Sequence, residues 1–162
     1  MSKVILLGGP TGVGKSTTLK LLENRLPKSA VLDADDVWRI SDDLAVNGTR
    51  RLALSNVINV MQGYFEAGCD LVILTWVFAR PQLYEPVIAG IQNSADSAHQ
   101  VYLIASPDSL KQRLSGRQDS HKLEYALSRL ELIQNLPFPK IDTTHLSPTE
   151  VVDALAGHIG SL

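Results

Sequence analysis

The segment Gly9-Pro10-Thr11-Gly12-Val13-Gly14-Lys15-Ser16 constrains this chain more than any other stretch. It carries the pattern G-x-x-x-x-G-K-[ST] without a gap, just after the apolar run Val4 to Leu7 and just before a segment of helical period. Glycines let a backbone turn tightly and aim successive N–H groups inward, which makes a nest for a β-phosphate. The helix that follows adds the positive end of its dipole. Lys15 can reach the β- and γ-phosphates as a mobile point charge, Ser16 can place its hydroxyl on Mg²⁺, and Thr17 carries the loop into the helix. Residues Gly9 to Thr17 are therefore expected to bind a nucleotide.

Beyond the loop, short apolar runs alternate with longer segments of helical period, the pattern of β-α units and a parallel sheet. Strands are expected at Val4 to Leu7, Ala30 to Leu32, Leu71 to Leu74, Val101 to Ala105 and Lys140 to Asp142. Helices are expected at Ser16 to Leu26, Arg50 to Ala67, near Gln82 to Gln92, from Ser106-Pro107, at Lys122 to Asn135 and at Ser147 to about Ile159. Ser147-Pro148-Thr149-Glu150 has the capping-box spacing. With no repeat or linker, the whole chain reads as one five-stranded α/β unit.

Two further clusters carry chemistry. Asp33, Asp35 and Asp36 follow the second strand, at the carboxyl edge of a parallel sheet where ligands bind. If the strand stays extended, Asp33 and Asp35 share a face. One can hold a Mg²⁺-bound water while the other orients or deprotonates an attacking hydroxyl. Arg113 and Arg117 lie four apart on a helix that Gly116 then loosens, and such arginines can neutralise charge on a transferred phosphoryl group, worth about 10³–10⁵ in rate for arginine fingers. Trp38, Arg39, Arg50, Arg51 and Trp76 are candidate lining for an acceptor pocket and would suit a planar or anionic compound.

Together the phosphate loop, the D-x-D after strand two and the later basic helix resemble the P-loop small-molecule kinases. That group includes the shikimate, gluconate and adenylylsulfate kinases and the antibiotic phosphotransferases. The resemblance implies a three-layer P-loop NTPase fold, with a five-stranded parallel sheet in the order 2-3-1-4-5 and helices on both faces. It also implies one kinase-like domain over residues 1–162, a mobile lid near 111–125 and an acceptor-binding region near 36–66. The implied activity is transfer of the γ-phosphoryl group of Mg·ATP to a hydroxyl of a small molecule, with ATP and Mg²⁺ as cofactors. By that resemblance Asp35 contacts the acceptor hydroxyl, Asp33 joins Ser16 in the Mg²⁺ shell, and Lys15, Arg113 and Arg117 act on the transferred group, Arg113 also touching the nucleotide. In similar kinases the loop after the last strand passes the adenine base, which makes Thr143 and Ser147-Pro148 base-site candidates.

The chain departs from its relatives at strand three, which ends in Thr75-Trp76 with no terminal acid. The glycine cluster that shikimate kinases place there is missing. Only Arg80 stands where gluconate kinases carry a basic segment. The metal role therefore falls on Ser16 and Asp33.

Composition narrows the alternatives. Fifteen basic and 17 acidic residues give a formal charge of −2, which argues against long nucleic acid as the partner. No apolar run approaches the ~20 residues of a membrane span, and the single cysteine, Cys69, rules out an internal disulfide, so a cytoplasmic monomer or homodimer is expected. His99, His121, His145 and His158 have no metal-ligand spacing. A nucleoside, nucleotide or polynucleotide 5′-kinase differs chiefly in its acceptor. A partner-dependent ATPase or switch is a further class, but no D-x-x-G occurs, and AAA+ motors usually add a helical lid domain that 162 residues cannot hold.

Overall fold

The computed structural model describes residues 1–23, 25–40, 49–115 and 120–160. Its elements run β1 (Lys3–Gly8), α1 (Lys15–Leu22), β2 (Ser29–Asp33), a 3₁₀ turn (Ala34–Val37), α2 (Thr49–Glu66), β3 (Leu71–Thr75), α3 (Pro81–Ile91), β4 (Ser97–Ile104), α4 (Pro107–Ser115), α5 (Ser120–Gln134), β5 (Lys140–Asp142) and α6 (Pro148–Gly160). The five strands form one parallel sheet in the order β2-β3-β1-β4-β5. This is the expected order.

β1 shows why the sheet needs cover on both sides. Val4 and Leu6 point to one face, where Val57 and Met61 of α2 and Val87 and Ile91 of α3 meet them. Ile5 and Leu7 point to the other, against Leu19 and Leu22 of α1, Leu110 of α4 and Val152 and Leu155 of α6. All four strand residues are fully buried. A run that is apolar on both faces is the mark of a central parallel strand, and the helices on either side make three layers.

Three local expectations need correction. α1 stops at Leu22 rather than Leu26, because the Arg25 N–H turns back to the Leu22 carbonyl at 2.9 Å and Pro27 has no N–H to continue the helix. β4 begins at Ser97, four residues before the apolar run. Its polar first half is recruited by backbone pairing, with Ser97 beside Lys3 and His99 beside Ile5, which hydropathy does not report. The short turn after β2 covers Ala34–Val37, so the strand does not stay extended through Asp35. The Asp33 side chain accepts from the Asp35 N–H at 3.2 Å and caps the turn instead.

The segment between β3 and α3 is held tightly, and it borders the site. Phe78 is fully buried in the left-handed region at φ 46°, and its carbonyl lies 3.0 Å from the Tyr102 hydroxyl of β4. The same ring leaves no room at Gly8, where a Cβ would sit 2.2 Å from it. Gly8→Ala should therefore cost about 1–3 kcal/mol by overpacking. Urea unfolding should show the midpoint falling at unchanged slope. A wild-type midpoint would mean that the Tyr102 ring moves aside freely.

Candidate active site

The phosphate loop leaves β1 and enters α1 through Gly14, whose φ of 110° and ψ of 12° place it in the left-handed region that glycine adopts without strain. No side chain caps α1, and no acid stands in its first turn. The first N–H groups of the helix therefore face a cleft of about 500 Å³. Thr11 through Ser16 line it, with Thr17, Asp33, Asp35, Trp76, Arg113 and Thr143. Gly9 and Pro10 contribute differently: their carbonyls accept from the Lys15 ammonium at 2.9 and 3.0 Å. The lysine is thus folded back over its own loop. Burial lowers its pKa from the usual 10.5 to about 8, partly offset by the charges of Asp33 and Asp35.

Asp33 joins the two acidic tasks. One carboxylate oxygen caps the 3₁₀ turn, and the other accepts from the Ser16 hydroxyl at 2.8 Å. A Ser16–Asp33 pair of hard oxygen donors at the foot of a phosphate cradle fits Mg²⁺, which keeps several waters and needs only one or two protein ligands. Among the described residues no group of three or more His, Cys, Asp or Glu forms a full metal cage. Thr75, paired in register with Asp33 at the end of β3, is fully buried, and its hydroxyl has no hydrogen-bond partner. It stands where the sequence lacks an acid, beside the donors that would hold the ion.

Arg113 lies at the cleft but is engaged with the frame. Its guanidinium donates to the Val13 carbonyl at 3.2 Å, to the Thr143 hydroxyl at 3.0 Å and to the Thr143 carbonyl at 2.6 Å. It therefore ties the phosphate loop to the turn after β5. Thr143 and Pro148 line the cleft on that side, whereas Ser147 caps α6 reciprocally with Glu150. Arg117, the other arginine of the expected lid, lies outside the described residues, as does 41–48 of the expected acceptor region.

A second hollow of about 520 Å³ adjoins the first, sharing Thr11, Asp35, Trp76 and Val77 with it. Trp38 and Trp76 meet edge to face across it at 6.5 Å, and Arg50 reaches its wall. The Trp38 indole N–H donates to Asp35 at 3.4 Å, and Asn56 of α2 holds the Val37 carbonyl at 2.7 Å, which fixes this wall to α2. Arg39 pairs with Asp36, and Arg51 lies in a separate groove on α2, so neither lines the hollow. The sequence reading missed Tyr125 and Arg129 of α5, which do line it. Their spacing of four residues, with the guanidinium 4.5 Å over the ring, was the available signal.

Residues 5–134, from β1 to the end of α5, match the family described as AAA domain. The chain belongs to that family. The matched region is the nucleotide-binding α/β unit itself, with no added helical domain needed to account for it. No curated protein matches the sequence. Among solved structures, the tunicamycin resistance protein of Deinococcus radiodurans is 23% identical with a TM-score of 0.74, covering 99% of this chain and 96% of that one. The shikimate kinase of Acinetobacter baumannii in complex with shikimate is 20% identical with a TM-score of 0.67, covering 99% and 94%. A gluconokinase of Sinorhizobium meliloti is 17% identical with a TM-score of 0.67, covering 96% and 90%. At such identities the likeness is one of fold, and the fold is that of the P-loop kinases.

The depressed lysine has a pH consequence. Phosphate favours its charged form, so below pH 8 the free lysine already holds its proton and affinity does not change through this group. Above pH 8 binding must take a proton up, and affinity falls. Calorimetry of ADP binding at pH 9, in two buffers of different ionisation enthalpy, should report uptake of ~1 proton. Lys15→Met should abolish that uptake.

Proposed function

We propose that this protein is a phosphotransferase that moves the γ-phosphoryl group of ATP to a hydroxyl of a small molecule. The observation that carries the reading is the position of Asp35 on the shared wall of the two hollows, one lined by the phosphate loop and the other by aromatic and basic side chains. A carboxylate at that junction can meet an acceptor hydroxyl on one side while a phosphate chain lies on the other.

In the proposed reaction the acceptor oxygen forms a bond to the γ-phosphorus, and the bond from that phosphorus to the β–γ bridging oxygen breaks. Asp35 takes the proton that the hydroxyl loses, and the displaced electron pair leaves with ADP. The Trp38 indole holds one carboxylate oxygen of Asp35, leaving the other for the acceptor. Lys15 exchanges the Gly9 and Pro10 carbonyls for phosphate oxygens and follows the charge as it moves. Mg²⁺ held at Ser16 and Asp33 would supply charge neutralisation between the β- and γ-phosphates. Arg113 keeps the loop in shape through Val13, and Arg117 is the arginine left to meet the transferred group from the lid. The small-molecule kinases among the fold relatives support this reading, and the formal charge of −2 speaks against a polynucleotide acceptor.

The reading is tested by ADP release with Mg·ATP across a panel of hydroxylated metabolites, nucleosides and antibiotics. Stimulation by one class is expected. Lys15→Ala should weaken nucleotide binding and abolish turnover, whereas Asp35→Asn should bind ATP normally and lose about 10²–10⁴ in rate. Stimulation that survives Asp35→Asn at full strength would remove that residue from the reaction. ATP binding with no stimulation by any compound would favour a partner-dependent ATPase.

A further inference from the structure

The segment between β3 and α3 holds one residue where it would not rest by itself. Phe78 is fully buried with φ 46°, a left-handed conformation that a bulky side chain adopts only when its surroundings impose it. The Tyr102 ring fills the space over Gly8, and its hydroxyl reaches the Phe78 carbonyl at 3.0 Å. The carbonyl one residue back, that of Val77, accepts from the Gly9 N–H at 3.3 Å, and the Gly9 carbonyl accepts from the Lys15 ammonium at 2.9 Å. The Val77 and Phe78 carbonyls belong to consecutive rigid peptide planes hinged at Phe78, so its dihedrals set the angle between them. What holds one plane therefore aims the other at the root of the phosphate loop.

The Tyr102 hydroxyl is contested. Gln100 Oε1 lies 2.9 Å from it, and a phenol carries one proton, so it donates to the Phe78 carbonyl or to Gln100 but not to both at once. Burial raises the Tyr102 pKa above its usual 10.0, which keeps that proton in place through neutral pH. Trp76 stands edge to face with Phe78 at 6.1 Å and lines the phosphate cleft with Val77, so the same hinge sets a wall of the site.

We propose that Tyr102 is a positioning residue for the nucleotide: by donating to the Phe78 carbonyl it holds the hinge that aims Val77 at Gly9, and Gln100 tunes that hold by competing for the same proton. Only nucleotide binding at the phosphate loop is needed for this, not transfer to an acceptor, so the phosphotransferase reading can fail without it. Neither Tyr102 nor Gln100 lines the phosphate cleft, and both act through the backbone between.

Three substitutions in the full chain separate the proton from the packing. Tyr102→Phe keeps the ring over Gly8 and removes only the hydroxyl. Gln100→Glu sets a carboxylate, a stronger acceptor, beside the phenol and draws the proton from Phe78. Gln100→Leu removes the competitor and leaves the proton to Phe78. ADP affinity is measured by calorimetry at raised salt, which screens the added charge from the nucleotide. Emission of Trp38 and Trp76, the only tryptophans in the sequence, reports on the wall without any ligand. Tyr102→Phe and Gln100→Glu should each weaken ADP binding by about threefold to tenfold, the worth of one hydrogen bond, and both should shift the emission. Gln100→Leu should bind ADP as tightly as the wild type or tighter. Opposite results from two substitutions at one position do not arise from lost packing. Wild-type ADP affinity in Tyr102→Phe or in Gln100→Glu would overturn the proposal. So would equal weakening by Gln100→Leu and Gln100→Glu, which makes residue 100 a packing element alone. If urea unfolding shows that Tyr102→Phe has lost its fold, the Gln100 pair decides by itself.

Discussion

The structure depends on a single buried strand. β1 pairs in parallel with β3 on one side and β4 on the other, and its apolar residues seal against helices on both faces. Such a strand cannot slip by one residue without turning every side chain to the wrong layer. Its end is therefore fixed, and the phosphate loop that leaves it inherits that fixity. Gly8 allows the Tyr102 ring to close over the strand end, Tyr102 in turn holds Phe78, and Gly9 bonds the Val77 carbonyl at 3.3 Å. The loop starts from a point set by β1, β3 and β4 together.

From that point the site is a matter of where backbone groups are left open. Gly14 turns the chain so that the start of α1 has no cap, and the N–H groups that would ordinarily be satisfied there face the cleft. Contacts within the chain brace the loop. Lys15 is anchored on two of its own carbonyls, and Arg113 braces Val13 from outside against Thr143. A preformed cradle reduces the ordering that binding would otherwise require.

Much of this was legible in the residues, for identifiable reasons. The phosphate loop is local: its pattern and its flanks lie within one stretch of chain. The sheet order came through the resemblance rather than from periodicity, which gives strands but not their neighbours. What hydropathy could not see was pairing that draws polar residues into a strand, as at Ser97 to Gln100. It also could not see that Asp33 would bend the chain by capping its own turn. The second hollow was read in part: Arg50 was expected as acceptor lining and Arg80 stood out after strand three, whereas Arg129 lies far along the chain from both. Thr75 gave no signal at all, since a threonine at the end of a strand is ordinary until its hydroxyl is found sealed and unpaired.

The two hollows share more than a border. Thr11, Asp35, Trp76 and Val77 belong to both, and Val77 also carries the bond to Gly9 at the root of the phosphate loop. Whatever fills one side presses on the wall of the other. Thermodynamic linkage then requires that the factor by which a nucleotide changes acceptor affinity equal the factor by which the acceptor changes nucleotide affinity. That equality follows from the closed cycle itself, so on the proposed reading the order in which the two molecules arrive leaves the stability of the filled state unchanged.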